Sequence, residues 1–363
     1  MSARIPTIVI MAGGTGGHVF PALAVAEELR GRGWRVSWLG TQTGLEGRVV
    51  PAHGIDIDWL SVSGMRGKGL LSKLLSAFRL LQACMQARRI LRQRRPDVVL
   101  GMGGFVAGPG GLMAKWLGIP LVVHEQNRVP GTTNRWLVKL AASKVLEAFP
   151  DSFPAAVGAV CTGNPLRKAL QSLAEKSAWT PQASRALRIL VLGGSQGAKV
   201  LNDNVPEALA GLSNIAIKHQ TGTAMRDEVA ARYQNLGVNA EVLAFIDDMS
   251  AAYQWADLIV CRAGAMTVSE VAASGLPAIF VPLLHAIDDH QTANARFLTE
   301  NGAALLLPQP ELNAANLRKL INQAMTSLPS MSRAAQKQAR LHATQTVADI
   351  CVTLVPPRME AMP

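Results

Sequence analysis

The feature that most constrains this chain is residues 7–21, where an apolar run ends in a glycine-rich turn. Their sequence is T-I-V-I-M-A-G-G-T-G-G-H-V-F-P. The β-branched start predicts a buried strand, the glycines predict a tight turn, and the residues that follow predict a helix. Glycine lets the backbone adopt positive φ and approach a ligand closely, while a helix N-terminus presents unpaired N–H groups. The stretch therefore predicts a strand, turn and helix that suit a phosphate or diphosphate.

A second unit of the same design lies at residues 188–198, with the sequence R-I-L-V-L-G-G-S-Q-G-A. At 363 residues the chain is long enough for two domains that each bury a core. Two such units about half a chain apart predict two doubly wound α/β domains. We place the junction between them near Gly163, Asn164 and Pro165.

The details of the first unit argue against a dinucleotide cofactor. Its turn lacks the third glycine of the NAD fingerprint, and the second strand, at 35–40, ends in Gly40 and Thr41 without an acidic residue for a ribose. No G-x-x-x-x-G-K-[ST] motif occurs anywhere, which disfavours a P-loop NTPase. We therefore expect no cofactor.

Composition limits the class of protein. An apolar content of 49% with 17% charged residues excludes a largely disordered chain. The four cysteines form no C-x-x-C pair, which predicts free thiols in a reducing cytoplasm. The apolar run at 8–12 is too short for a signal peptide, and the uncharged stretches 98–114 and 271–287 contain glycine or proline. We expect no membrane-spanning segment.

Positive charge is concentrated in the N-terminal half. Residues 1–163 hold 19 Lys and Arg against 9 Asp and Glu, whereas residues 164–363 hold 17 against 16. Residues 59–96 contain nine basic residues and no acidic one, beside an apolar stripe at helical spacing. Such a helix either lies on an anionic membrane or packs on the core with a solvated basic face. Nucleic acid is disfavoured, because aromatic interleaving and a recognition motif are missing. The stripe consists of Leu71, Leu74, Leu75, Phe78, Leu81 and Met85.

Polar residues follow several predicted strands, where parallel sheets bind ligands. The sequence His124-Glu125-Gln126-Asn127 follows a strand at 121–123, and Ala265-Met266-Thr267 follows one at 256–261. The latter is predicted to lie at a helix N-terminus, which would place N–H groups on a diphosphate and Glu270, one turn in, near a ribose. Thr267 and Glu270 also fit a capping box, which is compatible with that role.

Two acidic or histidine-containing segments match metal-binding patterns only weakly. Asp56-Ile57-Asp58 fits a D-x-D motif, but its alternation is that of an exposed-edge strand. His285, Asp288, Asp289 and His290 suit sugar hydroxyls as well as a metal. We expect no metal.

Eight segments in order along nearly the whole chain resemble the MurG family of bacterial glycosyltransferases. The resemblance implies two Rossmann-like domains that face a cleft, the GT-B fold, at 1–163 and 164–341, with residues 342–363 returning to the first. It also implies a first domain that meets acceptor and membrane, and a second that binds the UDP-sugar. The segments are G-G-T-G-G-H-V-F-P, G-M-G-G-F, H-E-Q-N, G-N-P-L-R, G-G-S-Q-G-A, F-I-D-D-M, R-A-G-A-M-T-V-S-E and D-D-H-Q-T-A-N-A.

The activity that this resemblance implies is transfer of N-acetylglucosamine from UDP to the C4 hydroxyl of the lipid-linked muramyl sugar of lipid I. The anomeric centre inverts and lipid II forms, in peptidoglycan synthesis. The lipid acceptor implies a peripheral enzyme on the cytoplasmic face of the inner membrane. The alternatives are another GT-B lipid glycosyltransferase such as a diacylglycerol glycosyltransferase, an NAD-dependent oxidoreductase, and a non-catalytic membrane-binding module.

The resemblance also assigns site residues. Ile246 would contact uracil through its backbone and Glu270 the ribose. Our hypothesis for the base is His18, because an imidazole at the end of the first turn can face the acceptor; otherwise it only caps the helix. Phe105 and the segment 128–130 depart from the family pattern. The implied UDP-sugar contacts are Thr15, Gly16, Gly17, Asn127, Arg167, Ser195, Ile246, Ala265, Met266, Thr267, Val268, Ser269, Glu270 and Gln291.

Overall fold

A computed structural model describes residues 4–62, 70–171, 173, 185–194, 197–284 and 289–355, with the backbone alone for 70–76. The chain forms two compact units. Unit 1 comprises Met1–Arg167 and His342–Pro363, and unit 2 comprises Lys168–Leu341. The division follows Arg167, a few residues beyond the predicted junction, because Asn164 donates to the carbonyl of Gln126 in unit 1.

Unit 1 is built on a seven-stranded sheet in which every pairing is parallel, in the order β3-β2-β1-β4-β5-β6-β7. The central strands are continuous apolar runs because helices cover both faces of the sheet. All five residues of β1 are buried. The strands are β1 (Thr7–Met11), β2 (Arg35–Gly40), β3 (Asp56–Trp59), β4 (Val98–Gly101), β5 (Leu121–Glu125), β6 (Lys144–Glu147) and β7 (Val160–Cys161).

The side chains of β1 alternate between two cores. Ile8 and Ile10 pack in a cluster with α1 and α14, and Val9 and Met11 in a second cluster on the opposite face. The final helix therefore completes the core of the unit that begins the chain. The helices of unit 1 are α1 (Gly16–Gly31), α2 (Glu46–Ala52), α3 (Leu70–Arg94), α4 (Ala107–Trp116), α5 (Thr132–Leu140) and α14 (Ala343–Thr353).

Unit 2 repeats the architecture with a six-stranded parallel sheet in the order β10-β9-β8-β11-β12-β13. Its strands are β8 (Leu187–Leu192), β9 (Ile215–Gln220), β10 (Ala240–Leu243), β11 (Leu258–Cys261), β12 (Ala278–Phe280) and β13 (Ala304–Leu306). Its helices are α6 (Lys168–Gln171), α7 (Lys199–Leu209), α8 (Arg226–Asn235), α9 (Met249–Trp255), α10 (Ala265–Ser274), α11 (His290–Thr299), α12 (Ala314–Met325) and α13 (Leu328–Gln338). The prediction of two doubly wound α/β domains is confirmed.

The helix α3 buries a face other than the predicted apolar stripe. Ala83, Ala87 and Leu91 are fully buried, whereas the side chains of Phe78, Leu81 and Met85 are 65%, 58% and 56% exposed. The core-facing interpretation of the stripe is therefore wrong for these three residues, because small side chains form the packing face. Leu71, Leu74 and Leu75 lie outside the described side chains. Within the described part of the chain, no helix is both long and apolar enough to cross a membrane.

Candidate active site

The first glycine turn joins β1 to α1, and a buried carboxylate holds it in place. Only Gly14 of the four glycines has positive φ, at 90°. Glu46 is fully buried, and its Oε2 accepts from the N–H of Gly14 at 2.9 Å. The other oxygen, Oε1, accepts from the N–H and hydroxyl of Thr41 at 3.0 and 2.7 Å. A Cβ at Gly13 would lie 2.6 Å from that oxygen, so glycine is required there for close approach.

His18 lies in the first turn of α1 and is held by a side chain from the end of β5. Its Nδ1 lies 2.7 Å from Oε1 of Gln126. A Cβ at Gly103 would lie 2.8 Å from the imidazole, so the loop after β4 packs directly on the ring. A Cβ at the next residue, Gly104, would lie 2.5 Å from the carbonyl oxygen of Gly13. The G-M-G-G-F motif thus brings a third loop onto the first turn.

The strand β5 extends through His124 and Glu125, two residues beyond the prediction, and buries both. Each oxygen of Glu125 accepts two N–H donors at 2.8–3.1 Å, from Asn127, Gly131 and Asn134. This carboxylate is therefore fully used in shaping the loop that follows β5. The lone pairs that a catalytic base requires are engaged.

The predicted contacts at the first turn lie near one edge of the unit 1 sheet. Thr15 precedes α1, and its carbonyl accepts from the N–H groups of His18 and Val19. Gly16 and Gly17 begin the helix, and Asn127 follows β5. Arg167 is exposed, with its guanidinium 5.5 Å from the centre of the Phe20 ring on α1. Unit 1 therefore contains five of the predicted contacts as well as His18.

The second glycine turn follows β8 and is held by close packing of backbone against backbone. A Cβ at Gly197 would lie 1.9 Å from the carbonyl oxygen of Thr221 at the end of β9, and its φ is 76°. The N–H of Gly197 donates to the carbonyl of Gly194 at 2.9 Å, which also accepts from Gln220. Ser195, a predicted contact, lies outside the described residues.

The helix α10 begins at Ala265, as predicted, with Gly264 as its N-cap. Thr267 lies inside the first turn instead of at the cap, so the capping-box interpretation is wrong. Val268 is fully buried, and the hydroxyl of Ser269 donates to the carbonyl of Ala265. Val268 therefore has no exposed side chain, and the hydroxyl of Ser269 is bound within the helix.

Glu270 is half-buried one turn into α10, and its Oε2 accepts from the hydroxyl of Tyr253 at 2.9 Å. Tyr253 is buried on α9, whose N-cap Asp248 accepts from Ala251. Ile246 is buried in the preceding loop. Gln291 on α11 uses Oε1 to accept from the N–H groups of Ala263 and Leu283, at 3.3 and 3.0 Å. These residues gather where the strands of the unit 2 sheet end.

Comparison with known proteins gives the family. The glycosyltransferase family 28 N-terminal domain matches residues 8–146, and its C-terminal domain matches 188–353. A protein of Methylococcus capsulatus named UDP-N-acetylglucosamine--N-acetylmuramyl-(pentapeptide) pyrophosphoryl-undecaprenol N-acetylglucosamine transferase is 60% identical, over 95% of this chain and 98% of that protein. The crystal structure of Acinetobacter baumannii MurG has 42% identity and a TM-score of 0.83, covering 96% of this chain and 99% of its own. The chain belongs to the MurG family.

The predicted family is confirmed, and so is the GT-B glycosyltransferase fold. The calicheamicin glycosyltransferase CalG4 is similar in structure, with a TM-score of 0.70 over 99% of this chain and 100% of its own. At 18% identity that likeness shows the fold alone. Membership of the MurG family makes this chain a glycosyltransferase, which removes the oxidoreductase and the non-catalytic module.

The residues of the two weak metal-binding patterns have other roles in the structure or lie outside the described residues. Asp56 and Asp58 lie on the edge strand β3, and both accept from the guanidinium of Arg94, at 2.7–3.1 Å. His285 and Asp288 lie outside the described residues, and His290 begins α11. A search confined to the described residues finds no group of three or more His, Cys, Asp or Glu that could hold a metal.

Several residues that shape this candidate site of the MurG-family chain were not predicted from the sequence. Glu46 lies six residues beyond the end of β2 at Gly40, and no local pattern indicates that its carboxylate folds back under the first turn. Tyr253 belongs to a seven-residue helix without a motif. Gln126 stands in the H-E-Q-N segment, so its neighbourhood was identified but its contact with His18 was not.

Proposed function

We propose that this chain transfers N-acetylglucosamine from UDP-N-acetylglucosamine to the C4 hydroxyl of the muramyl sugar of lipid I, with inversion, to give lipid II. The observation that carries the proposal is the 60% identity, over 98% of its length, with a protein named for that transfer. At this level of likeness the substrates of the two proteins are expected to agree. A diacylglycerol glycosyltransferase is disfavoured for the same reason.

Inversion in a single displacement requires a base to remove the proton from the acceptor hydroxyl. In our proposal His18 is that base. Support comes from the imidazole's position on the glycine turn, half-buried, with Nδ1 held by Gln126. Glu125, the other candidate, already accepts four N–H donors.

The leaving UDP needs groups that stabilise its developing negative charge. The N-terminus of α10 presents backbone N–H groups and a positive dipole end, and Glu270 lies one turn into the helix for the ribose hydroxyls. The contacts proposed in unit 1 are Thr15, Gly16, Gly17, Asn127 and Arg167. Those in unit 2 are the backbone of Ile246, residues 265–270, Gln291 and Ser195.

A transfer assay with a soluble lipid I analogue tests this function. We expect product from UDP-N-acetylglucosamine and none when diacylglycerol replaces the analogue. Glu270→Ala is expected to cost about 2–3 kcal/mol in donor kcat/KM, because charge-assisted hydrogen bonds to ribose are lost. Tyr253→Phe is the matched control, because it removes the neighbouring hydroxyl and leaves the carboxylate. Transfer to diacylglycerol alone would replace the proposal with its alternative.

A second part of the proposal is peripheral contact of unit 1 with the inner face of the bacterial inner membrane. Support comes from α3, where Phe78, Leu81 and Met85 are exposed although apolar. Trp116 at the end of α4 is 58% exposed, with the guanidinium of Arg88 4.2 Å from its ring centre and that of Arg92 at 5.7 Å. Apolar side chains beside arginines suit the headgroup region of an anionic membrane.

Co-sedimentation with vesicles tests this contact. Wild type is expected to bind anionic vesicles, and binding should weaken with salt, since the Debye length is about 8 Å at physiological ionic strength. Phe78→Glu with Leu81→Glu should lose binding. The matched control is Leu236→Glu with Met325→Glu, which makes the same charge change on partly exposed residues of unit 2. Equal sedimentation of both double variants would place the membrane contact elsewhere.

A further inference from the structure

A continuous chain of hydrogen bonds runs from His18 into the core of unit 1. It passes from His18 to Gln126, from Gln126 to His124, and from His124 to the carbonyl of Gly163. Gln126 and His124 are 1% and 0% exposed. The direction of each bond decides which nitrogen of His18 carries a proton.

The amide of Gln126 has only one orientation that satisfies its contacts. The atom 3.0 Å from the carbonyl oxygen of His124 must be the NH₂ group, because a carbonyl oxygen only accepts. Oε1 therefore faces the ring of His18 at 2.7 Å. An amide oxygen also only accepts, so Nδ1 of His18 must carry the proton.

His124 supports this orientation from behind. Its Nε2 lies 3.0 Å from the carbonyl oxygen of Gly163, so Nε2 carries a proton and donates. Nδ1 of His124 is then a lone pair that accepts from Gln126 at 3.1 Å. Complete burial lowers the pKa of His124 to about 4, so the ring stays neutral near neutral pH. All the bonds thus run in one direction, away from His18.

The tautomer of His18 determines the state of its second ring nitrogen, Nε2. A neutral imidazole with a proton on Nδ1 has its lone pair on Nε2. Among the residues that the structure describes, none makes a hydrogen bond to this Nε2. The lone pair is therefore left for a substrate proton.

We propose that Gln126, backed by His124, is a positioning residue that holds His18 in its Nδ1–H tautomer and so directs the basic lone pair of Nε2 to the acceptor hydroxyl. This inference rests on the proposed role of His18 as the base. Two carboxylates on the elements around this turn already have partners: Glu46 binds Gly14 and Thr41, and Glu125 binds the loop after β5. On α14, which packs against α1, Asp349 is engaged by Arg32.

The first test is NMR of the imidazole nitrogens in ¹⁵N-histidine-labelled protein, with His18 assigned by its loss in His18→Asn. We expect a protonated Nδ1 and an unprotonated Nε2 for His18 in wild type, and a shift toward the Nε2–H tautomer in Gln126→Leu. A proton on Nε2 in wild type would overturn the proposal. This readout does not depend on catalysis and would survive if another residue proved to be the base.

The second test is the pH profile of kcat/KM. Gln126→Leu is expected to lower kcat about tenfold or more with UDP affinity unchanged, since general-base catalysis requires the correct nitrogen. Gln126→Glu keeps an acceptor for Nδ1–H, so it should restore part of kcat. Its negative charge favours the imidazolium, so the acid limb should move up by about 1–2 pH units.

The matched control is Gln323→Glu, an exposed position on α12 that makes the same charge change. It should leave the profile in place. An unshifted acid limb in Gln126→Glu would overturn the proposal. If Gln126→Leu does not fold, Gln126→Glu and the wild-type spectrum decide the question. A normal kcat in His18→Ala would instead refute the base, and the tautomer assignment would still stand on the spectrum.

Discussion

The two glycine turns resemble each other in sequence but are held by different forces. In the first turn, the carboxylate of Glu46 is buried against Gly13 and binds the N–H of Gly14. In the second turn, backbone packs on backbone, with Gly197 against the carbonyl of Thr221. The side chain that reaches the second turn is the neutral amide of Gln220, which donates to a carbonyl.

This difference bears on what each turn offers a ligand. In the first turn, one N–H is already bound to an anion, and a second anion at the same group would be repelled. The first turn instead brings His18 to the sheet edge. A glycine-rich turn after a strand therefore does not by itself identify a diphosphate site, since the partner of its N–H groups must also be known.

The largest effect is expected from removing the imidazole of His18, the proposed base, from the first turn. His18→Ala should lower kcat by roughly 10²–10⁴, the range for a general base, with UDP affinity little changed. His53→Ala is a suitable control, because that histidine is exposed on unit 1 and its ring pairs with Glu27 on the surface. The measurement is steady-state transfer with isothermal titration of UDP. A kcat near wild type would assign the base elsewhere.

The next largest effect, a loss of stability, is expected from disrupting the backbone packing of the second turn. Gly197→Ala should lower the free energy of unfolding by about 3 kcal/mol, because its Cβ would overlap a backbone oxygen that cannot move aside. Gly194→Ala is the control. It has a similar φ of 89° but open space around the Cβ, so it should cost only about 1–2 kcal/mol of strain. Chemical denaturation measures both, and equal losses would show that packing does not hold this turn.

A third effect compares the buried histidines of the two sheets. Burial lowers the pKa of His219 in unit 2 to about 3 and that of His124 in unit 1 to about 4. In the unfolded chain a histidine has a pKa of about 6.5. Below that pH the unfolded chain binds protons that the buried rings of the folded protein do not bind, so the free energy of unfolding decreases as the pH is lowered. From pH 6.5 to 4 each ring contributes a loss of about 3 kcal/mol.

His219→Gln tests the share of unit 2. Denaturation curves between pH 4 and 6.5 should show a shallower acid loss for this variant than for wild type. Two identical slopes would mean that His219 does not govern the acid sensitivity of unit 2.

The smallest expected effect tests the carboxylate under the first turn. Glu46→Gln should lower the free energy of unfolding by about 2 kcal/mol, because the NH₂ group of the glutamine would point at a backbone N–H donor where the glutamate has an accepting oxygen. Glu241→Gln on the edge strand β10 is the control, since that carboxylate is exposed and pairs with Lys218. Thermal denaturation of the two variants gives the comparison. A stable Glu46→Gln protein would mean that the first turn holds its shape unaided.

Most of the fold could be predicted because local patterns and sheet topology agree. Residues 8–11 are apolar throughout and lie in a central strand, and the glycines after them stop that strand where predicted. The extent of α1 was less accessible. It begins at Gly16, within the glycine-rich segment itself, and the sequence does not distinguish a glycine in a helical first turn from a glycine in a loop.

Sequence motifs located the segments that form the candidate site but not the contacts between their side chains. Motifs identified His18 and the start of α10, since both follow a strand and a glycine. The partners came from distant positions: Gln126 lies 108 residues from His18, and Glu46 lies 32 residues from Gly14. Such pairings depend on strand order, which a single sequence does not encode locally. The same reason explains α3, where the exposed Phe78 and the buried Ala83 share a helix that periodicity alone assigned to one face.

The return of the last helix to unit 1 has a consequence for synthesis on the ribosome. Val347, Ala348 and Cys351 of α14 belong to the same core as Ile8 and Val25. Translation proceeds from the N-terminus, so every residue of unit 2 is synthesised before α14. The unit that begins first is therefore finished last, and a nascent chain that stops at Leu341 still lacks the α14 side chains of the core that contains Ile8 and Val25.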